Sequence, residues 1–252
     1  MSNLFWLTEE QLERLRPFFP KSHGRPRVDD RRVLSGIIFI NRNGLRWCDA
    51  PAAYGPHKTL YNRWKRWSEM GVFARMFEGL AAETSETTTI MIDATYLKAH
   101  RTASSLRGEK GGRGRLIGRT KGGMNTKLHA IADAEGRPLR LFMTAGQVSD
   151  YTGARALLNS LPKAQWLLGD RGYDADWFRE GLKDKGLKVC IPGRKGRKTT
   201  VRYDRRRYKR RNRIEIMFGR LKDWRRVATR YDRCPKVFLS AIALAATVIF
   251  WL

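Results

Sequence analysis

The hydrophobic period of the chain changes near residue 86, and that change limits the folds open to it. Before it, apolar residues recur at helical spacing. Leu12 and Leu15 follow a Thr8–Gln11 pair with capping-box spacing, and Val33, Ile37 and Ile40 line a second segment from Asp29/Asp30 to Asn43. Leu60, Trp64 and Trp67 form the stripe of a third, from His57 to Met70, with Gly44 and Gly71 at the stops. A short fourth helix carries Val72, Phe73, Met76, Phe77 and Leu80. After it come β-rich runs at Thr87–Leu97, Lys127–Ala132 and Leu139–Thr144, the last two joined by the turn sequence Asp133-Ala134-Glu135-Gly136. Helices near 151–161 and 175–185 then alternate with apolar strands at Trp166–Leu168 and Val189–Ile191, and helices near 205–224 and 236–252 close the chain. The expectation is an all-helical unit over 1–84 followed by a mixed α/β sheet covered by helices over 85–252.

Charge points to a partner. The chain has 252 residues, 51 Lys and Arg against 24 Asp and Glu, and a net charge of +27. A balance this basic suits a polyanion, nucleic acid first, because each neutralised phosphate releases counterions. The excess is concentrated. Residues 194–233 hold 18 bases and 4 acids, and residues 98–126 hold 8 and 1, whereas residues 1–90 hold 14 and 10. A solvated face would spread its charge; a groove following a phosphate backbone concentrates it. Residues 101–126 are rich in Gly and Arg and read as a loop. Cys48, Cys190 and Cys234 show neither metal-ligand nor disulfide-framework spacing, which fits a reducing, cytoplasmic setting. The start MSNLFWLTEEQLERL is not a secretory signal, and the apolar run Val237–Leu252 is too short for a membrane span.

The third helix sets Trp64 and Trp67 inward, with His57, Lys58, Thr59, Asn62 and Arg63 as candidates for a DNA groove, in the manner of a helix-turn-helix module. Any helical bundle also has a polar face. Gly24-Arg25-Pro26-Arg27 could enter a minor groove or merely shape a linker.

Two acids end apolar strands in this basic chain. Asp93 follows Ile90-Met91-Ile92, and Asp170 follows Trp166-Leu167-Leu168-Gly169. If the strands are neighbours, the carboxylates meet at one edge of the sheet and repel unless a cation lies between them. A hard divalent ion such as Mg²⁺ takes one or two carboxylates plus substrate phosphate oxygens. Either acid could instead only cap a turn, which is the reading for Asp174 and Asp176. On the helix near 205–224, 100° per residue places Tyr208, Arg211, Glu215 and Lys222 within one arc of about 60°. Gly219 falls on the same face, where it would let another backbone approach closely. Ile214, Met217, Phe218 and Leu221 form the adjoining apolar stripe. A plain Arg211–Glu215 i,i+4 ion pair is the simpler alternative.

The order Asp93, Asp170, Glu215 resembles the DDE triad of bacterial insertion-sequence transposases. Tyr208-x2-Arg211-x3-Glu215-x6-Lys222 matches the Tyr-Arg-Glu-Lys pattern of the insertion-sequence-four and -five superfamily at every spacing. Leu-Gly-Asp170-Arg-Gly-Tyr-Asp and Ile-Asp93-Ala-Thr resemble that family too. The run from Gly44 through Tyr54-Gly55-Pro56-His57-Lys58-Thr59 to Trp67 resembles the helical domain of its insertion-sequence-five branch. The resemblance implies an RNase H-like core. It implies two Mg²⁺ ions, with Mn²⁺ able to substitute, held by Asp93, Asp170 and Glu215 as metal ligands and catalytic residues. It also implies double-stranded DNA as partner, both element terminal repeats and target, bound by a homodimer and cut and joined at 3′ ends. Arg211 and Lys222 would hold phosphates, and Tyr208 would stack on a base. No Ser or His arrangement offers a nucleophile, so His100 and His129 read as structural or substrate-facing. A metal-dependent nuclease without strand transfer and a DNA-binding protein without catalysis remain open.

Overall fold

A computed structural model describes residues 4–21, 28–83, 87–105 and 114–252. The helix that starts the first segment, α1 (Glu9–Leu15), is capped as its sequence predicts. Thr8 Oγ1 accepts from the Gln11 N–H at 3.2 Å, and the Gln11 side chain accepts from the Thr8 N–H at 3.0 Å. Helix α2 (Asp30–Asn43) is capped by Asp29, whose carboxylate takes the Arg31 and Arg32 N–H groups. It stops at Gly44, where a φ of 71° suits glycine. Helices α3 (His57–Glu69) and α4 (Val72–Ala82) follow. Gly24–Arg27 lie outside the described residues.

Next come strand β1 (Thr89–Ala99), one helical turn α5 (Arg101–Ser104), and strands β2 (Gly118–Thr120), β3 (Gly123–Ala132) and β4 (Pro138–Ala145). Helix α6 (Asp150–Leu158), strand β5 (Trp166–Gly169), helix α7 (Asp176–Asp184) and strand β6 (Lys188–Cys190) alternate after them. The chain continues through α8 (Arg205–Lys209), α9 (Asn212–Lys222), α10 (Arg225–Ala228), β7 (Thr229–Arg230) and α11 (Pro235–Phe250). Two expectations change here. Part of the stretch read as a Gly/Arg-rich loop, residues 118–126, is strand β2 and the start of β3, because the β2–β3 ladder pairs Gly118 with Asn125. The helix expected over 205–224 is broken at Arg210 and Arg211. Repeated like-charge i,i+4 pairs, Arg206–Arg210 and Arg207–Arg211, disfavour a continuous helix there.

Packing divides the chain into two compact units. The first holds residues 1–80, 100–103 and 221–252. In it α11 packs on α2 and α3, and α10 packs on α2. Trp64 and Trp67 are buried with Phe73, and Arg225 lies so close to Gly44 that an added Cβ would come within 2.7 Å of it. Residues 221–252, grouped by sequence with the C-terminal domain, therefore pack with the N-terminal helices. The apolar α11 cannot stand alone in water, and these helices bury it. Among the described residues no helix is long and apolar enough to cross a membrane.

The second unit holds residues 81–99 and 104–220. Its sheet runs β2-β3-β1-β5-β6, with β4 also paired to β3. The β3 pairs with β1 and β4 are antiparallel, while β1, β5 and β6 are parallel. Helix α6 packs on β3, β4 and α7. This mixed sheet with alternating helices is the α/β arrangement expected of an RNase H-like core, and it follows the all-helical N-terminal segment. The strands are apolar where the sheet is covered: Ile90, Met91, Ile92, Leu167 and Leu168 are all buried.

Candidate active site

The site is built where β1 and β5 run side by side. Their last registered pair is Ile92 with Gly169, so Asp93 and Asp170 are the next residue on each of two adjacent parallel strands. Strand β5 ends at Gly169 whereas β1 runs on to Ala99, so Asp93 lies within its strand rather than at the end expected from the sequence; pairing with β3 carries β1 onward, and Asp93 stands beside Asp170 where β5 stops. Asp93 Oδ1 accepts from the Ala94 N–H at 2.9 Å, and Asp170 Oδ1 accepts from the Gly172 N–H at 2.8 Å. Burial pushes the Asp93 carboxyl above the usual range, and the charge on Asp170 adds to the push. The Arg211 guanidinium and the Ala94 N–H pull the other way.

Glu215 comes from α9 and reaches this edge through Arg211. The Arg211 Nη1 donates to Asp93 Oδ2 at 2.8 Å, and its Nη2 donates to Glu215 Oε1 at 2.5 Å. One guanidinium thus spans both carboxylates and holds them within about 8 Å of each other, the reach of two hydrogen bonds across one planar fork. The plain i,i+4 pair is present and accounts for only half of what Arg211 does. The apolar stripe Ile214, Met217, Phe218 and Leu221 is buried and fixes the rotation of α9, leaving the adjoining face with Glu215 exposed. Tyr208 sits before the break, edge-on to Tyr203 at 5.4 Å, with the Arg211 guanidinium carbon 6.0 Å from its ring centroid. Lys222 ends α9, and burial lowers its pKa. Gly219 has open space around it, so no backbone approaches there.

Carboxylate oxygens from two acids on adjacent parallel strands are the donors a hard divalent ion takes. The Asp93–Asp170 pair therefore fits such an ion. Among the described residues, however, no group of three or more acidic, His or Cys side chains is gathered tightly enough to hold a metal, because Arg211 stands between Asp93 and Glu215.

Other expected site residues are placed differently. On α3, His57, Lys58 and Asn62 are exposed and Thr59 is half-exposed. Arg63 is not on that face. It is 6 % exposed, pairs with Asp30, and lies over the Trp67 ring at 5.0 Å. Four residues before Trp67, it shares nearly the same face of α3 as that buried ring, and Asp30 pairs with it there. Asp176 is not an N-cap; Ala175 holds that place, and Asp176 pairs with Arg197. His129 is fully buried.

Sequence reading missed the role of Asp174. It is fully buried and accepts from Arg179 Nε at 2.7 Å, Arg197 Nη1 at 2.9 Å and the Arg194 N–H at 2.8 Å. Burial alone would raise its pKa, but these three donors outweigh it and hold the carboxyl below the ordinary range. Asp174 thereby ties the basic segment around 194–197 to the turn that follows Asp170. No local pattern marks this, because its partners lie 5 to 23 residues away.

Comparison with known proteins gives a consistent picture. Residues 7–77 match the profile described as "Putative transposase of IS4/5 family", and residues 84–250 match "Transposase DDE domain". The chain is 37 % identical over 131 residues to the "Putative transposase for insertion sequence element IS6501" of Brucella ovis, covering 51 % of this chain and 99 % of that one. It is 28 % identical over 156 residues to the corresponding protein of IS402 from Burkholderia cepacia, covering 54 % of this chain and 72 % of that one. Among solved structures, a pre-cleavage Mos1 transpososome aligns with 90 % of this chain and 82 % of its own, at 12 % identity and a TM-score of 0.29.

Proposed function

Since the chain belongs to the DDE transposase family, we propose that it binds the terminal repeats of its own insertion sequence, cuts DNA strands there and joins the 3′ ends to target DNA. The observation that carries this reading is the juxtaposition of Asp93 and Asp170 by the parallel β1–β5 register, with Glu215 tied to Asp93 through Arg211. Asp93, Asp170 and Glu215 would hold a pair of Mg²⁺ ions, with Mn²⁺ as substitute. When bound, such ions supply Lewis acidity to the scissile phosphate and lower the pKa of an attacking water or 3′-hydroxyl.

The other residues serve the substrate. Arg211 releases one or both carboxylates and turns its fixed charge to a phosphate oxygen; a guanidinium fork suits either partner. Lys222 follows Glu215 by seven residues on α9 and offers a second cation. Tyr208 offers a ring to a base. On α3, His57, Lys58, Thr59 and Asn62 read the element ends; burial takes Arg63 out of this set. In this proposal residues 1–84 serve recognition and residues 85–252 catalysis. Two ends must be paired, so the active form is a homodimer on DNA, in the cytoplasm where the DNA lies.

The test uses labelled duplex carrying the element ends plus a target plasmid, with Mg²⁺ or with EDTA, and Glu215→Gln alongside. Metal-dependent nicking at the ends with joined products, lost in the variant, is the expected result. Nicking without joining would make the protein a nuclease. Binding with no cleavage in Mg²⁺ or in Mn²⁺ would make it a DNA-binding protein.

A further inference from the structure

On the opposite face of the sheet from Asp93, the second unit carries a cleft of about 470 Å³ lined by Tyr96, Lys98, Thr120, Lys121, Gly122 and Asn125. Side chains alternate along a strand, so Tyr96 and Lys98 share one face of β1 and Asp93 takes the other. Tyr96 lies about 10 Å along the strand from Asp93, at ~3.3 Å per residue. The cleft is therefore separate from the carboxylate edge.

Its walls are specific. Tyr96 is 51 % exposed, an unusual position for a ring in the middle of a sheet strand. It is nonetheless held in place. Its cross-strand partner Lys127 sets its ammonium 5.0 Å from the ring centroid. That ammonium is fixed in turn, donating to Val148 O at 2.6 Å and Asp150 Oδ1 at 3.1 Å. The ring thus stands on a buried cation, with Lys98 and Lys121 beside it in the cleft. Asn125 is braced by its amide donating to Thr120 Oγ1 at 2.6 Å and to Gly123 O at 3.0 Å, which fixes the β2–β3 hairpin forming the far wall.

We propose that this cleft takes an unpaired nucleotide of a DNA strand, its base stacked on Tyr96 and its flanking phosphates on Lys98 and Lys121. A fixed exposed ring between ammonium groups is the pairing that binds single strands: the cations follow the backbone and the ring takes any base face. A base inside a duplex has both faces covered by its neighbours, so the ring selects a base already out of the stack. Such bases arise where strands are parted for cutting. The proposal rests on the DNA-processing reading above and adds a second contact to it.

The test measures binding of the full chain to a labelled oligo(dT) strand and, in parallel, to a duplex of equal length. Tyr96→Leu should weaken the single-strand complex about 5- to 100-fold, leave its salt dependence unchanged, and leave duplex binding within about twofold. Tyr96→Trp should keep the affinity. Lys98→Ala with Lys121→Ala should lower the salt slope for the single strand by about 1.4, at ~0.7 per phosphate lost. A strand carrying 5-iododeoxyuridine should photocrosslink to Tyr96. Four outcomes would overturn the inference while leaving the DNA reading intact: unchanged single-strand affinity in Tyr96→Leu, equal losses on strand and duplex, a crosslink elsewhere, or tighter binding of an RNA strand than of DNA. Competition by free dTMP as strong as by the strand would convert the cleft to a mononucleotide site. Wild-type protein that binds neither strand nor duplex would refute both readings.

Discussion

His129 should make the catalytic sheet sensitive to acid, and the size of the effect follows from its surroundings. It sits on β3, paired with Ala94 on β1 and Phe142 on β4, one register position from the Asp93–Ala130 pair. Its Nε2 lies 2.9 Å from Thr144 Oγ1, and its Nδ1 is buried without a partner. Gly153 of α6 closes over the ring so tightly that an added Cβ would stand 2.1 Å from Nδ1. Burial pushes its pKa down from 6.5 to about 4, assisted by Lys127 and opposed by Asp150. A base with a depressed folded pKa stabilises the fold fully above its unfolded value and loses that contribution as pH falls toward the folded one. The window here is pH 6.5 to about 4. At ~1.36 kcal/mol per pKa unit, the loss across it is about 3 kcal/mol. The Asp93 carboxyl, raised by burial, contributes with the opposite sign on acidification, so the comparison must be differential. Denaturant unfolding of wild type and His129→Leu at several pH values should show wild type losing about 3 kcal/mol more than the variant between pH 6.5 and 4. Parallel curves would refute the reasoning, because they would mean that His129 already carries its proton, or finds water, in the folded state.

Four other substitutions test the site and its surroundings. Arg211→Gln leaves the Asp93 carboxyl without its cation and should cost about 2–3 kcal/mol at pH 7, less than a fully buried pair because both groups keep some exposure. Since Asp93 is then easier to protonate, the cost read from denaturant midpoints should shrink toward pH 4; a cost that grows on acidification would contradict the bridge. Asp174→Ala removes the buried acceptor shared by Arg179, Arg197 and the Arg194 N–H and should lower stability by about 3–5 kcal/mol; trypsin should then cut at 194–198 markedly faster, and an unchanged cutting rate would show that Asp174 is no anchor. Arg63→Ala should lower the melting temperature without changing affinity for element ends, whereas Lys58→Ala should do the reverse; anisotropy and thermal unfolding on the same samples separate the two.

Much of the local structure is written in short stretches of sequence. Thr8 and Gln11 cap a helix because the two groups that must meet are three residues apart. The run Trp166–Leu168 ends in Gly169 and Asp170 because an apolar strand must leave the sheet somewhere. Ile214, Met217, Phe218 and Leu221 announce their buried face by spacing alone. The turn between β3 and β4 is equally local, with Asp133 Oδ1 accepting from the Glu135 and Arg137 N–H groups at 3.1 and 2.7 Å. Even the resemblance to a transposase rests on four residues within one short stretch and two aspartates flanked by recognisable neighbours.

Residues far apart in the chain decided the rest. Asp93 and Asp170 become neighbours only through the β1–β5 register. The helix expected over 205–224 breaks at Arg211, where like charges weaken it and a carboxylate on another element captures the guanidinium. Arg63 shares its helix and its charge with Lys58, yet a partner 33 residues away buries it. Helix α11 looks from its sequence like the end of the second domain, but it packs on α2 and α3 because they offer the apolar surface it needs. By itself, then, the sequence determined most of the elements, the order of the three acids along them, and the family. Tertiary structure alone decided which acids meet, which cations neutralise them and which basic side chains stay in water, because pairing and burial depend on contacts that no local pattern encodes.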